Sequence, residues 1–205
     1  MTLYRSKIKP IIDYTGAATI GILAAPLLCY LIFKVKRDGG PAFYTQSRIG
    51  KDGKIFQCWK FRTMVVGADQ VLQEILAKDA VARQEWERDF KLKNDPRITP
   101  IGLILRKTSL DELPQLLNIL RGEMSLVGPR PVTAAEESYY GDYFRDYLSI
   151  RPGMTGLWQI SGRNDISYDQ RVQMDSWYAR NLSFWVDLKI LFATIGVVLR
   201  RKGSY

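Results

Sequence analysis

Apolar positions fall into one long block, then into short alternating and helical patterns. The block is Ile11–Phe33, 23 residues broken in polarity only by Asp13 among charged positions. As a straight helix it reaches roughly 34 Å, enough to cross a bilayer core of about 30 Å. Two features argue against simple spanning. Arg5, Lys7 and Lys9 precede the block, and Lys34, Lys36 and Arg37 follow it, so the positive charge that marks a cytoplasmic side stands at both ends. Pro26 also divides the block into arms of 15 and 8 residues, neither long enough to span alone. A helix that enters one leaflet, breaks near Ala25-Pro26 and returns fits these observations; a plain spanning helix stays open as the alternative.

After a loop at Asp38-Gly-Gly-Pro41, alternation predicts a hairpin of Phe43–Ile49 and Lys54–Met64 closed by Gly50-Lys-Asp-Gly53. It puts Lys60 and Arg62 on one face with Phe56 and Cys58, and Trp59 and Phe61 on the other. Gly67–Phe90 has apolar pairs four apart among charges and predicts one amphipathic helix. Ile101–Arg106 leads into Thr108–Pro131, TSLDELPQLLNILRGEMSLVGPRP. There Leu110, Leu113, Leu117 and Leu120 recur at helical spacing and predict a core-facing helix. Glu136–Tyr147 is polar and aromatic and predicts a half-buried helix. Arg151–Asn164 is a glycine-rich loop. Ser167–Leu182 predicts a helix with Arg171 and Asp175 on one face. Phe184–Leu199 is apolar but carries Asp187 and Lys189, which suits an interfacial helix.

Charge and composition narrow the chemistry. The chain has 205 residues, enough for one domain with a real core, and a net charge of +9, which calls for an anionic partner. It has no histidine, which removes imidazole acid–base catalysis, Ser-His-Asp triads and His-ligated metals. Cys29 and Cys58 form no CxxC, so neither a disulfide framework nor a thiolate zinc site is expected. Any metal is a hard, oxygen-ligated ion such as Mg²⁺.

Within Thr108–Pro131 the adjacent acids Asp111 and Glu112 have two readings. Ser109-Leu-Asp-Glu112 fits a capping box, with acids in the first turn of a helix. Pro114 also stiffens this segment, and the run ends in Arg130 between Pro129 and Pro131, a rigid bracket suited to gripping phosphate. A carboxylate pair near such an arginine suggests phosphoryl chemistry. Lys60 and Arg62, two residues apart, suit a diphosphate or a solvated strand face. Arg106, five residues before Asp111, suits a substrate cation or an ion-pair partner, and Arg163 closes the glycine-rich loop.

These stretches together resemble one family. The Pro26-broken block, WKFRTM at 59–64, RKTSLDELPQLLNIL at 106–120, MSLVGPRP at 124–131, RPGMTGLWQISGRN at 151–164 and WYARNLSFWVDLKIL at 177–191 occur in one order over nearly the whole chain. They resemble the bacterial sugar transferases of the monotopic phosphoglycosyl transferase family, and within it the catalytic domain of the undecaprenyl-phosphate galactose or glucose phosphotransferases. The helix at 67–90 is an insert of the larger members, whose N-terminal transmembrane region is not seen here. The resemblance implies an α+β chain, mainly α-helical with a small β-hairpin, with residues 1–37 as a re-entrant membrane hairpin and 38–205 as a catalytic domain at the cytoplasmic face of the bacterial inner membrane. It implies transfer of a hexose-1-phosphate from a UDP-hexose to undecaprenyl phosphate with release of UMP. Asp111 is then the nucleophile, Glu112 its dyad partner and Mg²⁺ the ion that both hold. Lys60, Arg62, Arg106, Arg130, Arg163 and Asp175 are the residues expected to serve the phosphates and nucleotide.

Two other classes are weighed. A membrane-anchored nucleic-acid-binding module fits the charge but gives the acid pair and the apolar block no role, so no nucleic acid is expected as partner. A glycosidase needs carboxyls on opposite sides of one bond, which adjacent residues rarely provide. A homodimer is compatible with the exposed amphipathic helices.

Overall fold

The computed structural model describes residues 3–89, 92–162 and 166–200. It is mainly helical, with two small sheets and one long apolar N-terminal helix. Helix α1, Lys9–Val35, runs through Pro26 as one helix, so the two arms expected from the proline are joined in a single element. With its flanking turns it is long and apolar enough to cross a membrane.

Its burial follows one helical stripe. Lys9, Asp13, Ala17, Leu31 and Val35 are buried, while Ile22, Leu23 and Phe33 on other faces are 74%, 78% and 62% exposed. Both ends of α1 therefore pack on the same body. Ala17 joins a core cluster with Leu116, Ile119 and Met124. Leu31 and Val35 join another with Phe61 and Leu105. Near the N-terminus Lys9 Nζ meets Asp187 Oδ2 at 2.7 Å. Asp13, the acid inside the apolar block, accepts the Leu126 backbone N–H at 3.0 Å and the Ser125 hydroxyl at 2.9 Å. A buried carboxylate is accommodated here because it accepts these donors and lies 3.8 Å from Lys9 Nζ.

Strands β1 (Phe43–Ile49) and β2 (Ile55–Phe61) form the expected hairpin, pairing Phe43 with Phe61 and Ile49 with Ile55. Gly50–Gly53 closes it, with Asp52 and Gly53 at φ of 58° and 76°. The single helix expected over 67–90 is two helices, α2 (Ala68–Lys78) and α3 (Ala80–Asp89). Asp79 leaves helical geometry, and its carboxylate accepts the Val81 and Ala82 N–H groups, capping α3.

Helix α4 (Pro100–Thr108) is capped by Thr99 and ends at Ser109 in the left-handed region, φ 57°. A 3-10 turn, Leu110–Glu112, follows, and α5 (Gln115–Leu120) starts only after Pro114. This late start changes the helix face: Leu116 and Ile119 enter the core, while Leu117 and Leu120 stay 41% and 45% exposed.

Strand β3 (Ser125–Val127) lies parallel to β4 (Gly153–Thr155). The two segments cross so closely that a Cβ on Gly153 would sit 2.0 Å from the Gly128 nitrogen, which reserves the position for glycine. Between them, the helix expected over 136–147 is split by Gly141, φ 48°, into α6 (Glu137–Tyr140) and α7 (Phe144–Leu148). Helix α8 (Leu157–Ile160) follows β4. Helix α9 (Tyr168–Asn181) carries a true capping box from Ser167 and Gln170, and α10 (Phe184–Arg200) closes the chain. Trp185, Phe192 and Ile195 of α10 are 68%, 67% and 56% exposed. With the outer face of α1 they leave an unusual amount of apolar surface uncovered.

Candidate functional site

The Ser109–Pro114 segment is where the capping and chemical readings part. Ser109 makes no side-chain cap and stands in left-handed geometry, so the expected capping box is absent. The chain leaves α4, makes one tight turn and reaches Pro114 before helix resumes. Asp111 and Glu112 are held on that turn, at the floor of a cleft of about 890 Å³.

Lys60 on β2 answers both acids, with Nζ 2.6 Å from Glu112 Oε1 and 4.0 Å from Asp111 Oδ2. Burial would weaken the Lys60 charge, but Glu112 and Asp111 outweigh it and raise its pKa. Asp111 goes the other way. Burial first and the neighbouring Glu112 second push its carboxyl up to about 6, although Lys60 and Arg106 pull it down. The site thus holds one more acid than its nearest cation can quench. Arg106, at the end of α4, is anchored through Nε on the Thr63 hydroxyl at 2.9 Å; burial lowers its pKa, and Asp111 opposes that.

Farther along the cleft stands a second charged group. Arg130 lies with its guanidinium 5.5 Å from the Trp158 ring centre. Its pKa is lowered by burial and by Arg171 and Arg48. Arg48 and Arg171 share one carboxylate, Glu136, at 3.1 and 3.5 Å. Burial would raise Glu136, but the Thr133 backbone and hydroxyl and the charges of Arg171 and Arg130 outweigh it. Three guanidiniums around one such acid make a strongly cationic wall, the environment for a polyanion.

Two of the expected residues turn out to be placed differently. Arg62 borders the cleft, but all five of its N–H groups are taken: Asp38 twice, at 2.6 and 2.7 Å, and the carbonyls of Pro41, Met64 and Val35. It ties the end of α1 to β2. Asp175 is 1% exposed and sits behind the cleft, accepting the Tyr140 hydroxyl at 2.7 Å and the Arg130 backbone N–H. Burial pushes its carboxyl up to about 7 despite these partners and Arg171. It positions Arg130 from below. Arg163 lies outside the described residues.

The sequence reading missed Arg48, Glu136 and Trp158. The Thr133–Glu136 capping box was the available signal for Glu136, since it fixes that carboxylate next to Pro131. Arg48 and Trp158 have no local signature; the fold alone brings them to Arg130.

Among the described residues no cluster of three or more metal-ligating side chains occurs, so Asp111 and Glu112 are the hard-oxygen pair on offer. Two carboxylates are the usual protein share for Mg²⁺, which takes its other ligands from water and substrate phosphates. An added cation would also relieve the charge imbalance at Asp111, so the residues fit the ion.

The chain is 58% identical over 198 residues to the undecaprenyl-phosphate galactose phosphotransferase of Salmonella typhimurium, covering 97% of this chain and 42% of that protein. It is 51% identical to the exopolysaccharide production protein ExoY of Rhizobium meliloti, covering 94% of this chain and 86% of that one. It is 38% identical to the UDP-glucose:undecaprenyl-phosphate glucose-1-phosphate transferase of Escherichia coli, covering 94% of this chain and 40% of that one. The chain thus spans about two fifths of the length of the Salmonella and Escherichia proteins. The family profile described as bacterial sugar transferase matches residues 4–201, from the turn before α1 to just past α10, and to that family this chain belongs.

Proposed function

We propose that the chain moves a hexose-1-phosphate from a UDP-hexose to undecaprenyl phosphate and releases UMP, the step that initiates a bacterial polysaccharide. The observation that carries this reading is Asp111: a half-buried carboxyl with its pKa pushed up to about 6, on a stiff turn, facing a cation-lined cleft. The raised pKa makes it a stronger base than a free carboxylate, yet it stays mostly ionised at neutral pH.

One Asp111 oxygen attacks the sugar-linked phosphorus. The phosphorus–oxygen bond to UMP breaks, and UMP leaves with the electron pair. The acyl-phosphate sugar on Asp111 is then attacked by a phosphate oxygen of undecaprenyl phosphate, which regenerates the carboxylate. No proton need be moved in either displacement, consistent with a site built without histidine. Lys60 holds Glu112, and Arg106 and Arg130 neutralise phosphate charge as it shifts. Asp111 and Glu112 would hold Mg²⁺, which would supply further positive charge for the transferring group. Arg62 and Asp175 serve as supports in this reading.

The lipid acceptor fits the apolar surface. Because both ends of α1 pack on the same body, we take the helix to enter the membrane from the cytoplasmic side and remain on it, with its outer face and Trp185, Phe192 and Ile195 toward lipid. Cysteine labelling at positions 2 and 36 should find both on one side; opposite sides would refute this arrangement. The chemical test is intact-protein mass after mixing the detergent-purified chain with Mg²⁺ and each UDP-sugar, without polyprenol. A hexose-phosphate increase with one sugar, lost in Asp111→Asn, supports the covalent route. UMP release only when undecaprenyl phosphate is present, with no adduct, would show direct transfer instead.

A further inference from the structure

Three polar atoms at the Arg130 end of the cleft are shut off from solvent and have no hydrogen-bond partner: Trp158 Nε1, Gln159 Oε1 and Arg171 Nε. Trp158 and Gln159 line the cleft. The Arg171 guanidinium lies 5.0 Å from the Trp158 ring centre, so the three share one neighbourhood. Both Trp158 and Arg171 are 9% exposed. Each buried polar atom left unpaired destabilises a fold appreciably, and native structures seldom tolerate several together without a reason. The surroundings are otherwise well paired: Ser167 and Gln170 cap each other, and Glu136 accepts from Thr133, Arg48 and Arg171.

The chemistry of the missing partner follows from the atoms. Two are N–H donors and one is an acceptor. A phosphate offers only acceptors and would leave Gln159 Oε1 unpaired. The edge of a uracil ring offers a carbonyl, an N–H and a second carbonyl in a row. We propose that Trp158 and Gln159 form the base-recognition edge of the cleft, with Arg171 stacked on the Trp158 ring behind them: Trp158 Nε1–H donates to the uracil C4 carbonyl, and Gln159 Oε1 accepts from the ring N3–H. This rests on the transferase reading, which supplies the uridine nucleotide. The order of groups along the cleft agrees with the donor molecule. Asp111 and Lys60 meet the sugar-linked phosphorus at one end. Arg130 lies between, acting electrostatically on Glu112 on one side and standing over Trp158 on the other. The base then occupies the Trp158 end.

The pocket also predicts what is rejected. Cytosine replaces one carbonyl with an amine and the ring N–H with an acceptor, so both positions clash in hydrogen-bonding sense. Sites that bind a base edge this way discriminate by about 100-fold or more. The experiment is titration calorimetry of UMP and of CMP on the full chain in detergent, for wild type, Gln159→Leu and Trp158→Phe. Wild type should prefer UMP by about 100-fold, and each variant should narrow that preference by about tenfold, the value of one hydrogen bond of roughly 1.4 kcal/mol. Trp158→Phe removes the N–H together with part of the indole that Arg130 and Arg171 stack on, so Gln159→Leu is the cleaner of the two variants. If Trp158→Phe does not fold, Gln159→Leu, on the cleft wall, decides alone. Equal binding of UMP and CMP by wild type, or an unchanged preference in the variants, would overturn the proposal. Wild-type UMP release from UDP-hexose is measured in parallel: its absence refutes the transferase reading itself, whereas its presence with unchanged base preference refutes only the base pocket.

Discussion

Lys60 on β2 and Arg62 just past the strand's end border one cleft, yet the charges around them are arranged in opposite ways. At the α1–β2 junction Arg62 has every donor matched, and Asp38, held mainly by Arg62, has its carboxyl pushed down to about 2. At the cleft floor Lys60 is shared between two acids, and Asp111 is pushed up to about 6. Matched charges build structure; mismatched charges hold a group in the protonation range where it reacts. The difference is set by the neighbours each side chain meets, not by their closeness in sequence.

The largest expected effect breaks the mismatched side. Asp111→Asn should lower UMP release by about 10⁴-fold or more, as loss of a covalent nucleophile does. It should also stabilise the fold. A carboxyl whose pKa is raised on folding contributes stability that is present below its unfolded value and lost as pH rises through about 6. At pH 7.5 the asparagine avoids that loss, worth about 1–3 kcal/mol, and the melting temperature should rise. A dead variant with a lower melting temperature would mean that Asp111 acts through structure.

The matched side should answer in reverse. Arg62→Lys keeps the charge but cannot reproduce five fixed donors, so it should cost about 2–4 kcal/mol and lower the melting temperature. Below that temperature kcat and KM should remain those of wild type. A raised KM with an unchanged melting temperature would return Arg62 to the phosphate-binding set.

Between these lies Lys60→Ala. The wild-type rate should rise with pH through about 6 as Asp111 ionises. Removing Lys60 takes away a charge that lowers the Asp111 pKa, so the acid limb should move to higher pH and the plateau fall by about 10- to 100-fold. A plateau loss without movement of the limb would detach Lys60 from Asp111.

How much of this was visible in the sequence depends on the range of the interaction. The first hairpin strand, the Ser167 start of α9 and the extent of α10 are local and matched the structure within a residue or so, whereas the second strand ends at Phe61, three residues before the expected Met64. The acid pair and Arg130 were legible because proline and sequence adjacency fix them. Among the expectations that failed, three show the physical reason most plainly. The Ser109 box gave way because Ser109 ends α4 rather than starting a helix. The 67–90 helix broke because Asp79 caps a second one. The leucine register shifted because α5 begins after Pro114. Arg62 reaches Asp38 and Val35, 24 and 27 residues away, and Arg48 reaches Pro131, 83 residues away, beyond any local pattern.

The smallest effect tests a group that belongs to neither side. Asp175 is buried like a structural acid and partnered by Tyr140 and the Arg130 backbone, yet its carboxyl is pushed up to about 7. Its folded pKa is raised, so its contribution to stability is lost as pH rises through about 7. Asp175→Asn keeps an acceptor in place and removes the titration, so the change at any one pH should be about 1 kcal/mol. The informative quantity is the difference in melting temperature between wild type and variant at pH 6 and at pH 8. That difference should move in favour of the variant at pH 8, because only wild type then has to ionise a carboxyl out of reach of water. A difference independent of pH would mean that Asp175 stays charged throughout, matched by Arg171 and Arg130 as Asp38 is matched by Arg62, and the division between matched and mismatched charges would then run through Asp111 alone.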